Sequence, residues 1–214
     1  MPSAISAIGR VIETPAPGGR AVFYMPEAPL SGLVNSIWMY ETDAPPHRKE
    51  RVLPSGTMQL IINLREDKLQ VSEPDGSSEP NTFPGSLLCG AYSEPFLIDT
   101  IHQSSMMGVH FRPGGAFPFL GPPADEFRNA HVSLDTIWGT GGVDLRERLA
   151  EAGTPGDKVC VLAEALLQQA TGPLYSSSGG DLCVEGVPWG RSYRNGAGSY
   201  RAGRAQLAAV HPGV

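Results

Sequence analysis

An abrupt change of residue pattern near the middle of the chain constrains the fold more than any other feature. Met107, Val109 and Phe111 alternate with glycine and polar residues, which is the two-residue period of a half-buried strand. Pro113-Gly114-Gly115 then ends this strand, because proline and glycine interrupt regular structure. Strand patterns dominate before this point and helical patterns dominate after it. The sequence therefore predicts an α+β fold with its strands first.

The segment before the break contains several short strand patterns. The clearest covers residues 57–64, where Met58, Leu60, Ile62 and Leu64 form one apolar face that we expect in the core. Other elements predicted there are a helical segment at 29–37, a hairpin partner of 57–64 at 69–71, and strands at 21–25, 38–41, 87–92 and 96–102. Short strands at such close spacing are typical of a small antiparallel barrel or sandwich.

Three helices are predicted after the break. Ser133 is expected to cap a helix that ends at Gly139, and a second helix covers residues 143–152. Thr154 caps the third, which starts at a proline and continues to about residue 170. Apolar residues recur at helical spacing along residues 143–171, so this surface is the expected interface of a possible homodimer.

Charge and composition argue against several classes of protein. The net charge is −6, and an acidic chain is a poor candidate for binding nucleic acid by itself. Its apolar runs are shorter than the roughly 20 residues of a membrane span, and residues 1–5 do not resemble a secretory signal. We therefore expect a cytoplasmic protein without membrane contact. Free thiols are the expected state of Cys89, Cys160 and Cys183 because their spacing is wide.

The sequence gives little indication of catalysis. No two of the five histidines form a His-x-His pair, although His102 and His110 could meet across adjacent strands as metal ligands. Satisfied or surface imidazoles explain the same residues equally well. The chain also has no Gly-x-Ser-x-Gly motif, and no glycine-rich turn is followed by Lys-Ser or Lys-Thr. We expect no catalytic residue, no metal and no cofactor, and hence not an enzyme.

A pocket for a small-molecule effector is predicted inside the barrel. Six residues combine apolar and polar character as small-molecule pockets do: Trp38, Tyr40, Gln59, Asn63, Tyr92 and His110. Ordinary core or surface positions are the alternative, because a register slip of one residue exchanges the two faces of a strand.

The break itself has two interpretations. In one, Arg112 binds an anionic effector at the mouth of the barrel. In the other, Arg112 pairs with a carboxylate or with helix-end carbonyls and holds the helices against the barrel. We favour the second, in which Phe111, Arg112, Pro113, Gly114 and Gly115 form a structural motif.

Four motifs in a fixed order resemble the N-terminal domain of a group of AraC-type transcription regulators. They are Pro29-x3-Leu33-Val34-x3-Trp38, Arg51-Val52-Leu53-Pro54-Ser55-Gly56 with the strand that follows, Gly108 to Ala116, and Leu134-x3-Trp138-Gly139. The resemblance covers roughly residues 20–171. It implies a cupin-like barrel at 20–112 and helices at 113–172, which together sense an effector or mediate dimerisation.

The chain departs from that family after residue 172. The resemblance calls for a C-terminal helix-turn-helix domain, but residues 173–214 have neither helical periodicity nor basic recognition helices. We expect residues 173–214 to be disordered, with a frameshift as our hypothesis for their origin, and residues 1–19 to be a flexible lead-in. The sequence thus predicts a regulatory domain that would need a helix-turn-helix domain supplied elsewhere to bind DNA. A cupin-type metal enzyme and a stand-alone interaction module are the alternatives.

Overall fold

The computed structural model describes residues 8–171 except 17, 46 and 76–78, together with residue 174. The predictions for residues 1–7, for Cys183 and for all of 173–214 except residue 174 lie outside the described residues. The strands within this part are β1 (Ile8–Ala16), β2 (Gly19–Pro26), β3 (Val34–Thr42), β4 (Lys49–Val52), β5 (Gln59–Asn63), β6 (Leu69–Ser72), β7 (Asn81–Phe83), β8 (Ser86–Cys89), β9 (Phe96–Asp99), β10 (Ser105–Phe111) and β11 (His131–Ser133). The helices are α1 (Leu134–Trp138), α2 (Thr140–Glu151) and α3 (Pro155–Gln169).

The described strands form two sheets, and together with the described helices they make three layers. One sheet has seven strands in the order β1-β2-β3-β10-β5-β8-β11, and the other has four in the order β4-β9-β6-β7. All strand pairs are antiparallel. The helices cover one face of the seven-stranded sheet, and the four-stranded sheet covers the other. None of the described helices is long and apolar enough to cross a membrane.

The α+β class is confirmed, but a closed cupin-like barrel is not. In the described part of the chain the two sheets have separate hydrogen-bond ladders. The seven-stranded sheet ends at β1 and β11, and the four-stranded sheet ends at β4 and β7. The strands therefore form two facing sheets with open edges rather than one sheet closed on itself.

The side chains of strand β10 alternate between the two sides of the seven-stranded sheet. Its Met107, Val109 and Phe111 are buried among the helices, as the alternation predicts. Met106 and His110, with Gly108 between them, lie on the opposite face, toward the four-stranded sheet.

The predicted apolar face of the neighbouring strand β5 is confirmed. Leu60 and Ile62 are buried in the core on the helix side of the sheet. Met58, just before the strand, is buried in the same core, and Leu64, just after the strand, packs against that core. Each fully buried side chain of this kind contributes about 1.5–3 kcal/mol relative to an exposed one.

Two predictions for the start of the chain are wrong. The lead-in at 1–19 contains β1, which pairs along β2 as a hairpin. The helical segment at 29–37 is limited to a 3-10 turn at Leu30–Gly32, and β3 already starts at Val34. The chain forms a strand there because β3 pairs with both β2 and β10, and Val34 and Ile37 are buried. These interstrand hydrogen bonds and contacts stabilise the strand more than the helical spacing of the apolar residues would stabilise a helix.

The predicted hairpin of residues 57–64 with 69–71 is also wrong. Both edges of β5 are occupied by β10 and β8, so β6 has no place beside it. Instead β6 crosses to the other sheet and pairs with β7 and β9. The loop predicted at 74–84 contains β7 at its end, and β4 and β11 are short strands that the sequence pattern did not indicate.

The predicted caps of α1 and α3 are confirmed, whereas α2 begins at Thr140, three residues before its predicted start. The Ser133 hydroxyl accepts a hydrogen bond from the Thr136 amide at the start of α1. Thr154 and Asp157 form a reciprocal capping box at the start of α3. The apolar stripes that indicated a homodimer through residues 143–171 are largely buried within the chain itself, including Leu145 and Leu162. Consequently the stripes are explained by the core, and a dimer through these helices stays a prediction.

The motif at the end of β10 connects to the start of β3. Arg112 Nε donates a hydrogen bond of 2.8 Å to the carbonyl of Ser31, a residue of the 3-10 turn. Gly114 has φ +74°, and a Cβ added to Gly115 would lie 2.0 Å from the Leu33 carbonyl oxygen. This geometry accords with the helix-end-carbonyl interpretation of Arg112, but the helix end is that 3-10 turn rather than α1, α2 or α3.

Candidate ligand-binding site

A cavity of about 260 Å³ lies between the two sheets. Its wall is formed by the inward faces of both sheets and by loops between their strands, among them the loop that joins β4 to β5. Described residues of the wall include Phe23, Trp38, Tyr40, His47, Glu50, Val52, Leu53, Ser55, Gln59, Ile61, Leu69, Val71, Leu87, Cys89, Tyr92, Phe96, Ile98, Met106, His110 and His131. Leu53 and Ser55 are exposed, so the mouth of the cavity lies at the β4–β5 loop.

Strand register sets the order of side chains along this wall. In one row across the seven-stranded sheet, His110 of β10 is opposite Gln59, Gln59 is opposite Cys89, and Cys89 is opposite His131 of β11. Neighbouring strands are about 4.8 Å apart, so the two histidines stand roughly 14 Å from each other. In the adjacent row Trp38 lies across Gly108, and a Cβ added to Gly108 would be 2.6 Å from the indole ring. The missing side chain of Gly108 thus makes room for the indole.

His110 forms one polar end of this row. Its Nδ1 lies 3.1 Å from the hydroxyl of the buried Ser36. The imidazole stacks on the Trp38 ring at a centroid distance of 5.8 Å and on the Phe23 ring at 6.5 Å. Burial lowers the pKa of His110 to about 4. At neutral pH this residue is therefore an uncharged ring within an aromatic group.

His131 forms the other end and has a similar environment. Its Nδ1 lies 2.6 Å from the Tyr92 hydroxyl, and its ring meets the Phe96 ring edge-on at 4.7 Å. Burial lowers the pKa of His131 to about 4 and raises the pKa of Tyr92 to about 12. The buried Nε2 of His131 has no hydrogen-bond partner among the described residues. His131 is thus a neutral ring with one polar atom available.

Near the mouth the wall contains a carboxylate. Glu50 Oε2 lies 3.6 Å from Nε2 of His47, and their side chains are 20% and 33% exposed. Burial raises the pKa of Glu50 above its ordinary value, and the neighbouring His47 partly offsets this effect. No lysine or arginine is present among the described residues of the wall. Glu50 is therefore the dominant charge of the cavity.

The arrangement does not resemble a nucleophilic or metal centre. Burial raises the pKa of the Cys89 thiol to about 12, so this cysteine is a poor nucleophile. His102 and His110, predicted as residues that could meet, bond different partners, since His102 Nδ1 lies 2.7 Å from Glu66 Oε2. The described residues contain no cluster of three or more His, Cys, Asp or Glu side chains that could hold a metal ion.

Five of the six residues predicted for the pocket line this cavity, namely Trp38, Tyr40, Gln59, Tyr92 and His110. Asn63 does not belong to this wall. Its amide nitrogen donates to the carbonyls of Lys68 and His102, at 3.1 and 2.8 Å, and its oxygen accepts from two backbone amides of the following turn. Asn63 is fully engaged in holding a turn, which corrects that part of the prediction.

Sequence reasoning missed His47, Glu50 and His131 as residues of the wall. Each lies on a short strand or beside one, and a three- or four-residue strand gives too little alternation to be recognised. The alternation of Glu50 and Val52 along β4 was the available signal, but charged neighbours obscured it.

The fold and the site define an α+β protein with a small cavity between two antiparallel sheets. Residues 22–133 match the family model described as "Domain of unknown function (DUF6597)". The match covers more than half of the 214 residues, so the chain belongs to this family. No curated protein matches the chain. The matched segment ends at β11 and contains almost the whole cavity wall, whereas α1, α2 and α3 follow it.

Proposed function

We propose that this chain is the effector-sensing domain of an AraC-type transcription regulator. The observation that carries the proposal is the cavity itself, because five residues chosen from sequence for a small-molecule pocket line one space between the sheets. Its volume of about 260 Å³ suits a small effector. The four motifs that resemble AraC-type N-terminal domains are a second, independent support.

In this proposal, ligand binding in the cavity would affect the helices through the seven-stranded sheet that lies between them. Strands β3, β5 and β10 have the cavity on one face and the helix core on the other, so both environments share the same backbone. An effector that binds one arrangement of this sheet better than another would shift the packing of the helices. In our proposal this packing change is the output that a DNA-binding partner domain would read.

A ligand screen on the purified chain tests the proposal. We expect small apolar and aromatic compounds with one or two polar groups to raise the melting temperature, and isothermal titration to give one site per chain. Ile61→Phe would reduce the cavity volume and should abolish this binding. Val143→Phe is the matched control, because Val143 is 46% exposed on α2 and lies outside the cavity wall. Equal binding by wild type and Ile61→Phe, with both folded by circular dichroism, would contradict the proposal.

Two further measurements separate this proposal from its alternatives. In a gel-shift assay we expect no tight, salt-sensitive and sequence-selective DNA binding by this chain alone. A cupin-type enzyme would instead contain a stoichiometric transition metal, which elemental analysis of the purified protein detects. Finding such a metal would replace the sensing proposal with the enzymatic one.

A further inference from the structure

The described cavity wall carries a negative charge without a permanent positive charge beside it. Glu50 is four-fifths shielded from solvent, and the described residues of the wall provide no permanent cation to balance it. His47 lies 3.6 Å away, a long distance for a hydrogen bond, and it carries a charge only when protonated. A shielded carboxylate is costly unless it has a charged or hydrogen-bonding partner. The site is therefore complementary to a positively charged group.

Strand register directs Glu50 into the cavity beside apolar and aromatic groups. Glu50 of β4 is opposite Ile98 of β9, which in turn is opposite Val71 of β6, and all three line the wall. Phe96 precedes Ile98 by two residues on the same face of β9. Such diagonal neighbours lie about 7–8 Å apart. A ligand bound to Glu50 would thus meet the ring of Phe96 next.

Aromatic rings continue from that point along the wall. Phe96 packs on Tyr92 at a centroid distance of 4.6 Å, and the group of Phe23, Trp38 and His110 lies in the rows of the facing sheet. Aromatic faces attract cations and also pack well against a planar apolar body. The cavity accordingly has a carboxylate near its mouth and an aromatic interior.

We propose that the ligand is a cationic amine with an aromatic body, whose ammonium group pairs with Glu50 while the body lies between the aromatic side chains. The inference rests on the proposed sensing function and specifies its ligand class. Carboxylates and phosphates are disfavoured, because they would enter beside Glu50 without an arginine or lysine of the described wall to neutralise them. Neutral aromatic compounds would make the same aromatic contacts but not the charge-assisted contact with Glu50, so we expect them to bind more weakly than the amines.

Matched sets of small probes test the role of the charge. Benzylamine, 2-phenylethylamine and tryptamine are compared by isothermal titration with the corresponding alcohols and with carboxylates of similar size. We expect each amine to bind at least about tenfold more tightly than its alcohol, and the carboxylates to bind most weakly. Glu50→Gln should remove the preference for the amine, so that each amine and its alcohol bind with similar affinity. Glu126→Gln, an exposed carboxylate outside the cavity wall, is the control for net charge and should retain the preference.

The outcomes distinguish the two proposals. An amine preference that disappears in Glu50→Gln and persists in Glu126→Gln supports the inference. Equal or tighter binding of the alcohols or carboxylates overturns the inference but leaves an effector cavity in place. Failure of all probes also overturns it, and the sensing function then depends on the wider screen and on Ile61→Phe. An amine preference that persists in Glu50→Gln places the ammonium elsewhere and overturns the role of Glu50.

Discussion

The two faces of the seven-stranded sheet differ in a way that separates stability from binding. On the helix face, side chains such as Leu60, Ile62 and Val109 are at most 1% exposed and pack without polar partners. On the cavity face, the alternate positions of the same strands carry Gln59, Ile61 and His110 around an open space. One backbone thus carries a closed apolar core and a polar-aromatic cavity, and each face can be altered by substituting alternate residues.

The largest expected effect comes from adjacent isoleucines on β5. Ile62→Ala creates a void in the closed face and should lower the free energy of unfolding by about 2–5 kcal/mol. Ile61→Ala extends a space that already exists, so its cost should be less than half of that. Urea unfolding of both variants measures the difference. Equal losses would mean that the two faces are equally packed, contrary to the structure.

The second-largest expected effect is a pH dependence of the free energy of unfolding, which arises from two histidines on the cavity face. Burial lowers the folded-state pKa of His110 and of His131 to about 4, below the ordinary value near 6.5. Between these values the unfolded chain binds more protons than the folded one, so stability falls as the pH decreases from about 6.5 to 4. Each histidine would account for at most about 3 kcal/mol of this loss.

Unfolding free energies of wild type and variants across this pH range measure that contribution. His110→Gln and His131→Gln should each flatten the dependence, because glutamine does not titrate. His102→Gln is the matched control, since His102 lies outside the cavity wall beside Glu66, and it should leave the contribution of the two buried histidines in place. An unchanged slope in the double variant of His110 and His131 would contradict burial of neutral rings.

The smallest effect is expected where β10 leaves the sheet. Arg112 directly follows β10 and is exposed, and its Nε donates to the Ser31 carbonyl. Arg112→Gln should lower the free energy of unfolding by about 1 kcal/mol or less and leave ligand affinity unchanged. Urea unfolding and titration with the same ligand check both parts. A loss of affinity without a loss of stability would support the alternative in which Arg112 binds an effector.

Sequence patterns correctly predicted the features that depend on interactions between residues close together in the chain. The alternation along β10, the caps at Ser133 and Thr154, and the buried face of β5 depend on residues close in sequence. Strand partners do not, because they depend on which edges are already occupied. The transfer of β6 to the second sheet, which leaves the described strands in two open sheets, therefore could not be inferred from residues 57–71 alone.

The candidate site divides in the same way. Trp38, Gln59 and His110 lie on strands long enough for alternation to assign a face, and the structure places them together. Glu50 and His131 lie on strands of four and three residues, where alternation is not recognisable. The dominant charge of the cavity thus comes from a position that periodicity could not assign, and only the register of β4 with β9 reveals it.

Asn63 acts as a non-covalent cross-link between the two sheets. It ends β5 in the seven-stranded sheet, and its amide nitrogen binds the carbonyl of Lys68, which directly precedes β6 in the four-stranded sheet. The same nitrogen binds the carbonyl of His102, in the turn where the chain returns from β9 to β10. Two of the six passages of the described chain between the sheets, β5 to β6 and β9 to β10, therefore meet at one side chain. Asn63 thus ties the two sheets together beside the cavity without lining it, so its substitution would act on the cavity through the spacing of the sheets.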